Sequence, residues 1–260
     1  YRQPGGRAEG AENTHNLPVG YYDNMAQSMS PGEVSVYVDG QYGYVADGKP
    51  IFPEYNDSVH CRAVEYVPGV PIHRGWDFGL TPACVLSQML PGGRWHVIDE
   101  ICADDMGIDR HSDDVLLHCS REYPDVEWID VGDPAGEQRA QTDERTCFDI
   151  LQGKGIEIGT GEQSIQIRFE SVRKPLRTMV DGEPGFAISP KAQRTRKGLA
   201  GKYQFRRLQV SGEKYAEVPE KNIWSHPVEA LQYTATRIFG DMVRGVGPRR
   251  KSQQRRIAVA

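Results

Sequence analysis

The sequence contains no run of about 18 apolar residues, the length a membrane-crossing helix needs, and no charged-then-apolar leader before a cleavage site. It therefore reads as neither membrane-spanning nor visibly secreted. A CxxC pair is also missing. The five cysteines, Cys61, Cys84, Cys102, Cys119 and Cys147, are scattered and odd in number, which argues against a disulfide framework or a zinc site and for core thiols in a reducing compartment. No GxxxxGK[ST] phosphate loop occurs, and GLAGKY lacks its spacing, so the chain is not an ATP-burning motor. No internal repeat is present. An initiator Met is absent too, and YRQPGGRAEGAENTHNLPVGYY shows no apolar period, so the chain reads as a fragment of a larger protein.

The 260 residues divide by composition into a linker over 1–69, a packed domain over 70–240, and a basic tail over 241–260 expected to be disordered. Within the linker, 34–53 reads as short extended pieces turned at Asp39-Gly40 and Asp47-Gly48. The domain opens with strands over 72–79, 83–90 and 94–102, joined by short loops into an antiparallel meander. The period then changes. A helix over 108–123 ends at Pro124, and strands over 126–131, 156–158 and 186–189 alternate with helices over 145–153 and 165–180. Alternation at this spacing implies parallel strands with crossover helices, hence a mixed α/β sheet flanked by helices. A basic helix over 191–201 follows, then a β-hairpin around Ser211-Gly212 and a last helix over 225–239.

One position stands out. Asp77 lies in GWDFG, between Trp76 and Phe78, where strands disfavour Asp and burial penalises a charge. A carboxylate persists there only when paired or bound to a metal. An α/β sheet gathers sites outside the carboxyl ends of its central strands, which would bring Asp133 of GDPAG beside Asp77, with Glu229 of SHPVEALQY above them. Three carboxylates without thiolate or imidazole in reach suit Mg²⁺ or Mn²⁺, and two such ions about 4 Å apart support phosphodiester hydrolysis. Glu100, at the end of strand HVIDE, is a candidate fourth ligand. His226 and Asp130 are candidates for supporting roles, Asp130 also being a weaker rival to Asp133. Simpler readings stand beside these: Asp133-Pro134 opening a turn, and Glu229 favoured by a helix start.

The net charge of −5 argues against nucleic acid, yet its distribution does not. Between Arg168 and Arg207 eleven Lys/Arg face three acids, a local balance of plus eight. Arg194, Arg196, Lys197, Lys202, Arg206, Arg207 and Lys214 are the candidate DNA contacts, with a solvated helix face and a plain edge hairpin as the alternatives.

GWDFG, GDPAG and SHPVEALQY, in this order and spacing, resemble the nuclease domain of the large terminase subunit of tailed bacteriophages. AENTHNLPVGYYDNMA and GKPIFPEYN resemble the segment joining that family's ATPase to its nuclease. The resemblance implies an RNase H-like fold and divalent-metal-dependent cutting of concatemeric phage DNA at the start and end of packaging. Asp77, Asp133 and Glu229 match the three acids, although the family usually carries Asp where Glu229 stands. It further implies double-stranded DNA, an upstream ATPase domain, the small terminase subunit and the portal protein as partners. The expected location is the host cytoplasm at the procapsid portal, outside the mature virion. Two other classes are kept: a catalytically silent DNA-binding or docking module, and another RNase H-like enzyme such as a resolvase or hybrid nuclease.

Overall fold

The computed structural model describes residues 4–11, 14–27, 34–40, 48–139, 144–208 and 214–245. Strands β2 (Ile72–Asp77), β3 (Ala83–Met89) and β4 (Trp95–Cys102) form the expected antiparallel meander. Strand β5 (Trp128–Gly132) runs parallel to β2, β6 (Ile158–Thr160) parallel to β5, and β9 (Phe186–Ile188) parallel to β4. Together they make a six-stranded sheet in the order β6-β5-β2-β3-β4-β9. This is the mixed sheet that alternating helices and strands implied.

Both faces of the sheet are covered, as apolar side chains at successive positions of a strand require. On β3, Cys84 and Leu86 enter one core while Ala83 and Val85 enter the other. The first core holds Ile72, Trp76, Val115, Cys119 and Leu151, under helices α3 (Ile108–Glu122) and α4 (Cys147–Gly153). The second holds Trp95, Val97, Phe169 and Val172, under α5 (Ile165–Arg177) and α7 (Ser225–Val243). Helix α7 packs through Val228, Leu231, Ala235 and Phe239, a stripe at helical spacing.

Several boundaries differ from the expected ones for identifiable reasons. Helix α4 starts at Cys147 because Thr146 and Asp149 close a capping box. The strand expected over 156–158 begins only at Ile158, since Ile156 is a core anchor ahead of it. Helix α5 stops at Arg177 and not at Val180. Asp181 and Gly182 both take positive φ (51° and 79°), which folds β7 (Met179–Val180) back on β8 (Glu183–Pro184) as a tight hairpin. The basic helix is short, α6 (Gln193–Lys197), and a π-helical turn over Gly198–Lys202 succeeds it. Helix α7 runs on to Val243, so ordered backbone extends past Gly240, where disorder was expected. The remaining tail, 246–260, lies outside the described residues.

The core also reaches back before Val70. Ile51, Phe52 and Tyr55 are core residues, β1 (Lys49–Pro50) pairs with β10 (Gln204–Phe205), and helix α2 (Asp57–His60) packs nearby. Upstream, Tyr21–Gln27 is helix α1, and Val34–Val38 is a π-helical turn where extended chain was expected. The Asp47-Gly48 turn lies partly outside the described residues. The hairpin near Ser211 is present in its arms, where Leu208 N–H donates to Lys214 O and Ala216 N–H to Arg206 O, each at 2.8 Å. Its tip, 209–213, lies outside the described residues.

Candidate active site

The register places two of the three acids side by side. Trp76 on β2 and Gly132 on β5 are partners in a parallel ladder, Asp77 and Asp133 each follow by one residue, and Asp133 N–H donates to Trp76 O at 3.0 Å. Gly75, two residues before Asp77 and on the same face, lies against α7. Asp77 therefore points toward the helix that carries Glu229. A β-carbon on Gly75 would come 2.1 Å from the Ala230 carbonyl oxygen and 2.5 Å from Thr234 Oγ1. The helix thus rests directly on strand backbone, one residue from Glu229. Gly75→Ala is expected to push α7 off the sheet, costing about 1–3 kcal/mol and reducing any activity that needs Glu229 in place. Chemical denaturation and cleavage assays on the same preparation check both effects.

Asp77 is 3% exposed and Glu229 2%. Asp77 Oδ2 lies 2.7 Å from His226 Nδ1. Burial pushes the Asp77 carboxyl up to about 6; the His226 hydrogen bond opposes this, and the charge of Glu229 adds to it. Glu229 accepts from Tyr203 Oη at 3.0 Å and pairs with Lys221 Nζ. Asp133 caps its own turn, accepting from Ala135 N–H at 2.9 Å. Asp133 and Glu229 open into one cleft of about 310 Å³, whose wall includes Glu162, Arg168, Lys221 and Tyr233.

Among the described residues no three His, Cys, Asp or Glu side chains stand together as a metal-holding group. The expected convergence on one shared ion is therefore not formed as a chelate, because each acid is turned to a local partner. The donor set nonetheless fits a hard divalent cation. It is all carboxylate, two members are buried and repel each other, and an ammonium and an imidazole already press on them.

Other expected residues are placed elsewhere. Glu100, read as a fourth ligand, spends both oxygens on the start of α6: Oε1 accepts from Arg194 N–H at 2.6 Å, and Oε2 from Thr195 N–H at 2.8 Å and Thr195 Oγ1 at 2.7 Å. Asp130 lies on the opposite face of the sheet. There it takes Arg74 in a two-pronged pair (2.8 Å each) and Trp76 Nε1 at 2.6 Å, so it has no part in the cleft. Of the expected DNA contacts, Arg194 is paired with Asp104 and Arg196 grips Asp57 at 2.6 and 2.8 Å. Lys197 sits 5.2 Å from the Trp224 ring centre, and Lys202 is half-buried in the π-helical turn. Arg206, Arg207 and Lys214 are exposed on the hairpin arms.

Tyr203, Lys221 and Tyr233 belong to the site without having stood out in the sequence. Tyr233 was legible in principle, since it stands four residues after Glu229 and so shares its helix face. Tyr203, 26 residues from its partner, carried no such signal.

Asp77 thus ends β2, Asp133 follows β5 by one residue, and Glu229 stands on the helix laid across the sheet. Comparison with protein-family models and with curated proteins finds no match. Among solved structures, the chain is similar to the large terminase of a thermophilic bacteriophage. Identity is 14% and the TM-score 0.57, over 88% of this chain and 53% of that one. It is also similar to the P22 large terminase nuclease domain, at 12% identity and TM-score 0.53, over 78% of this chain and 100% of that one. The chain has the fold of large-terminase nuclease domains, and it spans about half the length of the thermophilic phage's protein.

Proposed function

We propose that the chain is a divalent-metal-dependent DNA endonuclease unit of a large terminase. The observation that supports this reading is the adjacency of Asp77 and Asp133 at the carboxyl ends of two neighbouring parallel strands, with Glu229 lining the same cleft as Asp133, and with Asp77 and Glu229 buried at the cost that burial imposes on charge. These three residues would hold Mg²⁺ or Mn²⁺, two ions in the fullest form of the proposal. Bound there, the metal supplies an activated water and stabilises charge on the phosphodiester. The chain's own part is to hold the acids on rigid elements, with His226 fixing Asp77 and Tyr203 fixing Glu229. Lys221 neutralises Glu229 from the open side of the cleft, its side chain 61% exposed.

In this reading the substrate is concatemeric phage DNA, cut when packaging begins and ends. An upstream ATPase domain, the small subunit and the portal are partners in the host cytoplasm. Supercoiled plasmid incubated with Mn²⁺ or Mg²⁺ should be converted to linear and smaller products, and EDTA should stop the conversion. Cleavage that persists in EDTA would sink the proposal. The exposed cations Arg206, Arg207 and Lys214 on the hairpin arms favour one other reading, a DNA-binding module that does not cut. Plasmid bound but intact in every divalent metal would select it.

A further inference from the structure

The cleft holds two cations, Arg168 and Lys221. Lys221 is committed to Glu229. Arg168 is not committed to any acid: among the described residues it forms no ion pair, whereas Arg74, Arg173, Arg177, Arg194 and Arg244 each have a carboxylate partner. Its position is nevertheless fixed. The guanidinium lies 5.1 Å from the centre of the Tyr233 ring and donates through Nη1 to Tyr233 Oη at 2.6 Å. The Nε–H is buried with no hydrogen-bond partner among the described residues. With Nε turned into the protein and Nη1 on Tyr233, the guanidinium is held in one orientation at the cleft wall.

We infer that Arg168 binds a phosphate of the DNA strand that enters the cleft. This rests on the nuclease reading for its setting, and three features of the site point to an anion with several oxygens. The guanidinium fork matches phosphate geometry and is more weakly hydrated than an ammonium. Stacking on Tyr233 orients the fork before the ligand arrives, so less freedom is lost on binding. Asp133 and Glu229 line the same cleft, so a phosphate held by Arg168 is presented to the acids and shielded from their repulsion. The contact reads no base, so it is expected to be sequence-independent.

The test uses the 260-residue chain, a fluorescently labelled duplex, and Ca²⁺ in place of Mn²⁺ so that binding is read apart from cutting. Arg168→Gln is expected to weaken binding about tenfold and to flatten the slope of log affinity against log salt by about one. In Mn²⁺ it should raise KM by a similar factor, with a smaller change in kcat. Arg168→Lys should restore the salt slope but not the affinity, since it keeps the charge and loses the fork and stacking. Should Arg168→Gln fail to fold, Tyr233→Phe carries the test. It removes the hydroxyl anchor without removing charge, and is expected to weaken binding about threefold. A folded Arg168→Gln with unchanged affinity and slope overturns the phosphate contact. A wild-type chain that binds the duplex with the Arg168 dependence above but cuts in no metal overturns the nuclease reading and leaves the contact standing.

Discussion

Replacing Asp77 by Asn is expected to abolish DNA cleavage, by at least about 10³-fold, while making the metal-free protein more stable. The two effects have one cause. Inside the fold the Asp77 carboxyl titrates at about 6 instead of 3.8, because burial and the charge of Glu229 disfavour its ionised form more than His226 favours it. A carboxyl whose folded pKa is raised binds a proton more tightly in the native state than in the unfolded one. Its unfavourable contribution is absent below about pH 4, grows between about 4 and 6, and is complete above about 6. At about pH 8 this amounts to roughly 2–3 kcal/mol, which Asn does not incur. Melting curves of wild type and Asp77→Asn without metal should therefore converge near about pH 4 and separate by roughly 5 °C at about pH 8, Asn higher. Added Mn²⁺ should raise the wild-type melting temperature and narrow that gap, and should do so less as pH falls below about 6, where protons compete for the same oxygens. An Asn variant less stable than wild type at every pH would show that Asp77 serves the fold and would remove the physical ground for assigning it a ligand's role.

Asp130→Ala is expected to cost about 3–5 kcal/mol while leaving the response to divalent metal intact. Arg74 is 3% exposed, stacked 4.3 Å from the Trp128 ring centre and 5.8 Å from that of Trp76, and Asp130 takes two of its nitrogens. Removing the acid leaves a guanidinium in an apolar layer with no counter-charge. Most of the loss comes from that stranded cation and less from the attraction itself. The double variant Arg74→Met with Asp130→Leu should therefore recover most of the stability that Asp130→Ala forfeits. Urea titrations of the wild type and these variants measure this. A metal-induced stabilisation that vanished in Asp130→Ala would instead place Asp130 at the cleft.

The contrast between these two acids shows what was legible in the sequence. Both lie in strands. Asp77 stands out because its neighbours Trp76 and Phe78 are large and apolar; pattern places it inside a strand over 72–79, and the structure makes it the last residue of that strand. Alternation also sets Asp130 on the other face from Asp133, but nothing local announces that Arg74, 56 residues away, meets it there. The same limit explains the basic stretch. Eleven cations close together in sequence resemble a nucleic-acid surface, yet Arg196 is answered by Asp57 from 139 residues upstream and Arg194 by Asp104. Glu100 shows it once more, since the helix end it satisfies arrives 94 residues later. Local period determines strands and helices, and so a mixed sheet of antiparallel then parallel strands was readable, though not the order of its strands. Which charges are neutralised is decided by long-range pairing, which composition does not record.

The bare crossing of α7 over Gly75 has a consequence for how this protein can be altered. Where two elements meet through interlocking side chains, trimming or enlarging one of them lets the pair drift together or apart. Here the strand offers only main chain at Gly75 to the Ala230 carbonyl and the Thr234 hydroxyl, so van der Waals contact sets the closest approach, and trimming Val228 or Leu231 cannot draw the helix nearer. Repacking that core should therefore soften the domain long before it moves Glu229 relative to Asp77, and an engineer seeking a looser or tighter cleft would have to reshape the strand itself.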